Sequence, residues 1–244
     1  MAKPVLIIQL RPETLTSDNE YQSILKYCEL KPEQSERLRA EQAGIPELDL
    51  NRYSAIIVGG SPFDITTPEN EKSEIQVKIE SDFRHLFDKV VTDDFPFLGA
   101  CSGNGLLGSY LGAPLSRKYA EPVSLRTVTI TEEGSRDPLL AGFPSEIDVL
   151  LGHKESCDEV PDGAVLLVTG EQCPIQMFRV KNNVYATQFH PEGDSEGFIL
   201  RIHVYKNYGY FDPALADDMI EELSNIDTPY AQQILKRFAD SYCR

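Results

Sequence analysis

The sequence predicts an α/β fold: a mostly parallel sheet with helices on both faces, continued by a small antiparallel extension. Three observations lead there. In the first hundred residues, short apolar runs alternate with helical patterns, as in a parallel sheet crossed by helices. In the second half, short strand-like runs crowd together with only turn residues between them. The chain is 244 residues long with 25% charged residues, a soluble composition and length enough for a sizeable core.

The elements follow in order. Residues 4–10 form an apolar run suited to a buried parallel strand. A polar segment, 11–19, precedes 20–30, where Tyr21, Leu25 and Cys28 recur at helical spacing. Residues 35–42 fit either a charged edge strand or a helix. A strand over 53–58 is broken by Gly59-Gly60-Ser61-Pro62. Residues 73–90 make the clearest helix, with Ile75, Ile79, Phe83, Leu86, Phe87 and Val90 on one stripe. A strand is expected over 95–100. Further strands fit 123–130, 147–151, 164–169, 175–180 and 184–188, followed by a helix over 195–205. Two more helices, 214–223 and 230–242, close the chain. There is no internal repeat and no low-complexity linker, so we expect one domain over 1–244, with its core at about 3–207 and C-terminal helices over 208–244.

Composition excludes several function classes. The formal net charge is −16 at pH 7, unsuited to nucleic acid or an anionic membrane, both of which need basic patches. No stretch is long enough to span a membrane, and the first apolar run is too short for a signal peptide. The five cysteines, Cys28, Cys101, Cys157, Cys173 and Cys243, are scattered without a CxxC pair. That pattern suggests neither a disulfide framework nor a zinc site, and a reducing cytoplasm is the expected location. No cofactor or metal is expected.

The chemistry centres on Gly99-Ala100-Cys101-Ser102-Gly103. A strand running into a helix through G-x-C-x-G is a nucleophile elbow with cysteine at its tip. The glycines leave space in a turn where backbones approach closely. The helix N-terminus would favour a thiolate. The same five residues also fit a buried cysteine in a glycine-rich turn. A cysteine nucleophile needs a base and an orienter. Of the four histidines, His85 and His203 lie in predicted helices. His190 follows the strand 184–188 at the sheet edge where open α/β sheets bind ligands, and Glu192 can fold back onto its ring. For the developing oxyanion, backbone N–H groups of Gly60 and Ser102 are candidate donors.

Three separated blocks together resemble the class I, triad-type glutamine amidotransferases: Ile56-Ile57-Val58-Gly59-Gly60, Gly99-Ala100-Cys101-Ser102-Gly103 and Gln188-Phe189-His190-Pro191-Glu192. The stretch from Leu151-Gly152-His153-Lys154-Glu155 to Gln172-Cys173-Pro174 resembles the glutaminase domain of GMP synthase, and Glu121 matches an acidic residue downstream of the elbow. The likeness covers roughly residues 5 to 200. It implies a flavodoxin-like three-layer fold, a Cys101–His190–Glu192 triad and a γ-glutamyl thioester intermediate. It also implies substrate-binding positions at Gly59, Ser61, Gly105 and His153. Three positions depart from the family pattern. Gly105 stands where a glutamine usually contacts the substrate, Ser102 replaces a leucine or aromatic, and Pro62 comes one residue later than usual. The expected activity is hydrolysis of a γ-glutamyl amide with release of ammonia, the candidate acceptor being a separate synthase subunit. A γ-glutamyl peptidase is the alternative favoured by Gly105, and a non-catalytic partner protein on the same fold is a third reading. The substitution at 105 predicts poor use of free glutamine and room for a larger substrate.

Overall fold

The computed structural model describes residues 3–208 and 211–243; residues 1–2, 209–210 and 244 of the expected 1–244 unit lie outside the described residues. In chain order the elements are β1 (Val5–Gln9), α1 (Thr14–Cys28), β2 (Ser35–Arg39), α2 (Ala40–Ala43), β3 (Ala55–Val58), α3 (Glu74–Thr92), β4 (Phe97–Ala100) and α4 (Ser102–Tyr110). They continue with β5 (Leu115–Ser116), β6 (Glu121–Ile130), α5 (Glu132–Arg136), β7 (Glu146–His153), β8 (Ser156–Cys157), β9 (Ala164–Thr169), β10 (Met177–Val180) and β11 (Val184–Thr187). Helices α6 (Ser195–Tyr205), α7 (Ala216–Leu223) and α8 (Pro229–Tyr242) close the chain.

Among the described residues, nine strands form one sheet of order β2-β1-β3-β4-β11-β10-β9-β6-β7. From β2 to β11 the strands run parallel. From β11 onward the pairing is antiparallel, through β10, β9, β6 and β7. The extension is therefore four strands wide. A separate pair, β5 with β8, lies outside the sheet.

The parallel strands are buried on both faces because their residues alternate between two cores. Val5, Ile7, Ile57 and Leu98 face one core, which α1 and α8 cover with Ile24, Leu25, Ile234 and Phe238. Leu6, Ile8, Ile56, Val58 and Phe97 face the other, covered by Ile79, Phe83, Phe87 and Val90 of α3. Helix α3 starts where the Ser73 hydroxyl accepts the Gln76 N–H at 3.2 Å, and its apolar stripe is the one the spacing predicts. A third, smaller core joins Leu150 of β7 to Phe198 and Ile202 of α6 and to Ala216 and Leu223 of α7. The result is helix, sheet, helix: the three-layer arrangement expected.

Several elements add to or differ from the sequence reading. Helix α1 begins at Thr14, six residues before the apolar spacing starts. Its first turns bury Thr16, Ser17 and Glu20, and buried polar residues leave no mark on apolar periodicity. The ambiguous 35–42 segment divides into edge strand β2 and the single turn α2. The short elements α5, β5 and β8 carry too few residues for a periodic signal. The Thr131 hydroxyl accepts the Gly134 N–H at 2.9 Å to start α5. Among the described residues, no helix is long and apolar enough to cross a membrane.

Because β1, β3, β4 and β11 are parallel, their C-terminal ends share one edge of the sheet. Arg11, Gly59-Gly60, Cys101 and His190 all lie just beyond those ends, and this convergence positions the site.

Candidate active site

Cys101 follows β4 and caps α4 with φ 51° and ψ −95°. A side chain in this region is strained by about 1–3 kcal/mol, so the surrounding contacts must hold it. They do: the Cys101 N–H donates to the Thr187 carbonyl at 2.7 Å, joining the ends of β4 and β11. A Cβ on Gly99 would lie 2.9 Å from the Gly103 Cα, which is why the first glycine of the elbow is required. Gly103 has ordinary room, a Cβ there lying 3.7 Å from Val58 Cβ.

His190 and Glu192 follow β11. The His190 N–H donates to the Leu150 carbonyl at 2.9 Å. Its Nδ1 lies 2.7 Å from Glu192 Oε1, and the same oxygen accepts from Arg201 Nη2 at 2.9 Å. All three residues are buried. Burial raises the cost of a carboxylate at Glu192, but the His190 ring and the Arg201 guanidinium outweigh it and hold the acid well below the usual range. Burial pushes the His190 imidazole down, with the Glu192 charge pulling it partly back. Cys101 and His190 line one cleft.

At Cys101 burial opposes the thiolate expected at a helix N-terminus. Its surroundings push the thiol up to about 12, chiefly by burial, against the pull of Arg11. Attack by the Cys101 sulfur therefore calls for a base that takes the thiol proton.

The turn after β3 is also differently engaged. The Gly60 N–H donates to Glu20 Oε1 at 3.1 Å, so in this state it is not directed at the cleft. Glu20 also accepts from Arg11 Nε at 2.7 Å and from Gln9 Nε2 at 3.0 Å. A Cβ on Gly60 would meet Arg11 Nη2 at 2.5 Å and His190 Cε1 at 2.7 Å. Gly59 lies outside the cleft: its N–H donates to the Ile8 carbonyl at 3.0 Å, and a Cβ there would run into the Glu20 carboxylate. Ser61 lines the cleft, and its carbonyl accepts from Ser102 Oγ at 3.5 Å.

The cleft has two lobes that share Ser61, Cys101 and Gly152. One contains Ser102, Gly105, His153, Lys154, Glu155 and Gln188; the other contains His190 and Arg201. Gly105 offers less room than the sequence suggests. A Cβ there would lie 3.2 Å from Ile65 Cδ1, 3.3 Å from Leu115 Cδ2 and 3.7 Å from Glu155 Oε1. The Ile65 and Leu115 atoms are terminal methyls, which a side chain at 105 would have to shift by a few tenths of an ångström. Both nitrogens of His153 are occupied, Nε2 at 3.0 Å from Glu121 Oε2 and Nδ1 at 3.0 Å from the Glu155 carbonyl. His153 therefore shapes the wall and holds Glu155, whose carboxylate accepts the Ile65 and Thr66 N–H groups at 2.7 and 2.8 Å.

Ligand atoms of Glu121, His153 and Cys173 lie within 4.8 Å of one another. Glu121 Oε2 already accepts Gln176 Nε2 at 2.7 Å as well as pairing with His153, and a metal would have to displace both contacts. All five cysteines are free thiols.

Arg11, Glu20 and Arg201 are the site residues that sequence reasoning misses. Arg11 stands in a polar loop and the other two in helices, where charged residues read as solvated; only the tertiary fold buries them.

The chain is similar to proteins of one family. The family profile of glutamine amidotransferase class-I matches residues 21–201. The glutamine amidotransferase-like protein YfeJ of Salmonella typhimurium is 31% identical over 156 residues, 64% of this chain and 63% of that protein. One chain of the glutamine-hydrolysing GMP synthase of Sulfurisphaera tokodaii is 28% identical over 162 residues, 65% of this chain and 77% of that one. Gamma-glutamyl peptidase 3 of Arabidopsis thaliana is 26% identical over 160 residues, 62% of this chain and 59% of the peptidase. The match thus spans less than two thirds of both YfeJ and the peptidase. In fold, a glutamine amidotransferase from Thermotoga maritima superimposes with a TM-score of 0.76 at 20% identity, covering 98% of this chain and 99% of that one. With residues 21–201 of its 244 inside the family profile, this chain belongs to the class-I glutamine amidotransferases.

Proposed function

We propose that the chain hydrolyses a γ-glutamyl amide through a thioester on Cys101. The observation that carries this reading is the cleft itself: Cys101 at a helix-capping elbow opens onto the same space as His190, whose Nδ1 is held at 2.7 Å by Glu192. His190 in its neutral form accepts the Cys101 proton at Nε2 as sulfur attacks the amide carbonyl. The ring returns that proton to the departing nitrogen as the C–N bond breaks. Water, deprotonated by the same ring, then cleaves the thioester and frees the γ-carboxylate. Glu192 fixes the tautomer and stabilises the imidazolium, the role of an orienter in such triads. Ser102 is the stronger candidate for the oxyanion donor; Gly60 joins only by releasing Glu20. The lobe with Lys154 and Glu155 carries both charge signs and suits the zwitterionic end of a glutamyl group. If the chain is an amidotransferase, the released ammonia passes to an acceptor, for which a separate subunit is the candidate.

The decisive experiment is a product-release assay across glutamine, γ-glutamyl peptides and other amides, with Cys101→Ser as control. We expect release from at least one γ-glutamyl donor and none from the variant, because a hydroxyl is a much weaker nucleophile in this setting. Full activity in Cys101→Ser would overturn the covalent mechanism, and a wild type inert to all donors would favour the scaffold reading.

A further inference from the structure

The steps above leave one part of the site unused. On the His190 side, the cleft is lined by Arg11, Val123, Phe198, Arg201, Tyr205 and Phe211. Arg201 is only 6% exposed. Its Nη2 serves Glu192, but its Nε and Nη1 are buried with no acceptor among the described residues. Its guanidinium lies over the Phe198 ring, Cζ 4.9 Å from the centroid. Buried donors without partners are costly and rare, and each is a place where an arriving acceptor is rewarded. Arg11, also buried, adds a second positive charge to the same lobe, with Nε given to Glu20 and Nη1 3.4 Å from the Tyr205 hydroxyl.

The direction of the reaction says which half of the substrate arrives here. His190 must protonate the leaving nitrogen, and of the two lobes only this one contains His190. The acyl half belongs to the other. His190 and Arg201 bind the same oxygen of Glu192, so the guanidinium stands one carboxylate away from the ring that meets the leaving nitrogen. A leaving ammonia has no use for a buried cation with unpartnered donors. An amino acid does, because its carboxylate lies two bonds from the amide nitrogen.

We propose that this lobe is a leaving-group subsite for an amine bearing a carboxylate and an apolar side chain, with Arg201 as the specificity-determining residue. The substrate class is then γ-glutamyl amino acids with a free α-carboxylate, their side chains against Phe198, Phe211 and Val123. The inference rests on Cys101 acting as the nucleophile.

The test compares kcat/KM for γ-glutamylphenylalanine, its C-terminal carboxamide and glutamine, in wild type and in Arg201→Met. Charge-assisted hydrogen bonds of this kind predict a preference for the acid over the carboxamide of about tenfold or more. In Arg201→Met that preference should fall to about one, whereas damage passed through Glu192 would lower all three substrates together. Equal use of acid and carboxamide by wild type, or an unchanged ratio in the variant, would sink the assignment. A second readout does not need turnover: calorimetric binding of N-acetylphenylalanine and N-acetylphenylalaninamide to the Cys101→Ser protein. Tighter binding of the acid, lost when Arg201→Met is added, supports the subsite even if no donor is cleaved. Equal binding of the two overturns it, and a wild type that binds the acid but cleaves nothing instead faults the proposed reaction.

Discussion

At His190 two influences oppose each other. Burial lowers the imidazole, and the Glu192 charge raises it, with burial the larger. If neutral His190 is the base, activity falls only as pH drops through that lowered value, so the acid limb of kcat/KM lies below the ordinary histidine value of 6.5. Glu192→Gln removes the charge that lifts the ring, so the limb moves further to the acid side. The plateau should fall by about 10- to 10⁴-fold, the span between ligand-orienting and triad carboxylates. A limb that moves to higher pH would show that Glu192 does not govern the ring. Cys101, His190 and Glu192 are legible as candidates because each lies in a short contiguous motif with a local reason for its residue types. Arg201 is not, since nothing within α6 says that its guanidinium turns inward to Glu192.

The elbow between β4 and α4 separates two glycines that look equivalent in the motif. Gly99 faces the Gly103 backbone, whereas Gly103 faces only Val58 at ordinary distance. Gly99→Ala should therefore force strand and helix apart, costing about 1–3 kcal/mol as overpacking does, with loss of turnover. Gly103→Ala should be neutral or stabilise the helix by up to about 1 kcal/mol. Urea midpoints of the two variants check the contrast, and equal losses would refute it. Element by element, strands with continuous apolar runs and the striped α3 are readable from sequence, as are α6 and α8. The start of α1 is hidden, because Thr16, Ser17 and Glu20 are buried through hydrogen bonds and ion pairs rather than apolar contacts.

Across the whole molecule, Glu20 binds distant parts of the chain together. Its carboxylate takes Gln9 at the end of β1, Arg11 in the following loop and the Gly60 N–H after β3, and it lies 4.0 Å from Arg201 of α6. It is completely buried. Glu20→Gln leaves Arg11 without its countercharge, and breaking a buried pair by removing one partner costs about 3–5 kcal/mol. Chemical denaturation should register that loss, and the freed Gly60 turn should lower kcat along with it. Unchanged stability would mean that water or Tyr205 compensates the arginine. The parallel half and its layers are legible from the alternation of strands and helices. The four-strand antiparallel extension is legible as strands, but not in its order, because β6 pairs both forward with β7 and across to β9.

The upward push that burial gives the Cys101 thiol has a consequence for durability. Peroxides and disulfides react with thiolates. If that push keeps the sulfur protonated until a substrate carbonyl and His190 meet it, oxidants find little of the reactive form. The proposed activity should then outlast oxidative bursts that silence enzymes whose cysteine rests ionised, and residual turnover after peroxide exposure at pH 7 reads this directly. Rapid inactivation under those conditions would mean that the resting site is an ion pair after all.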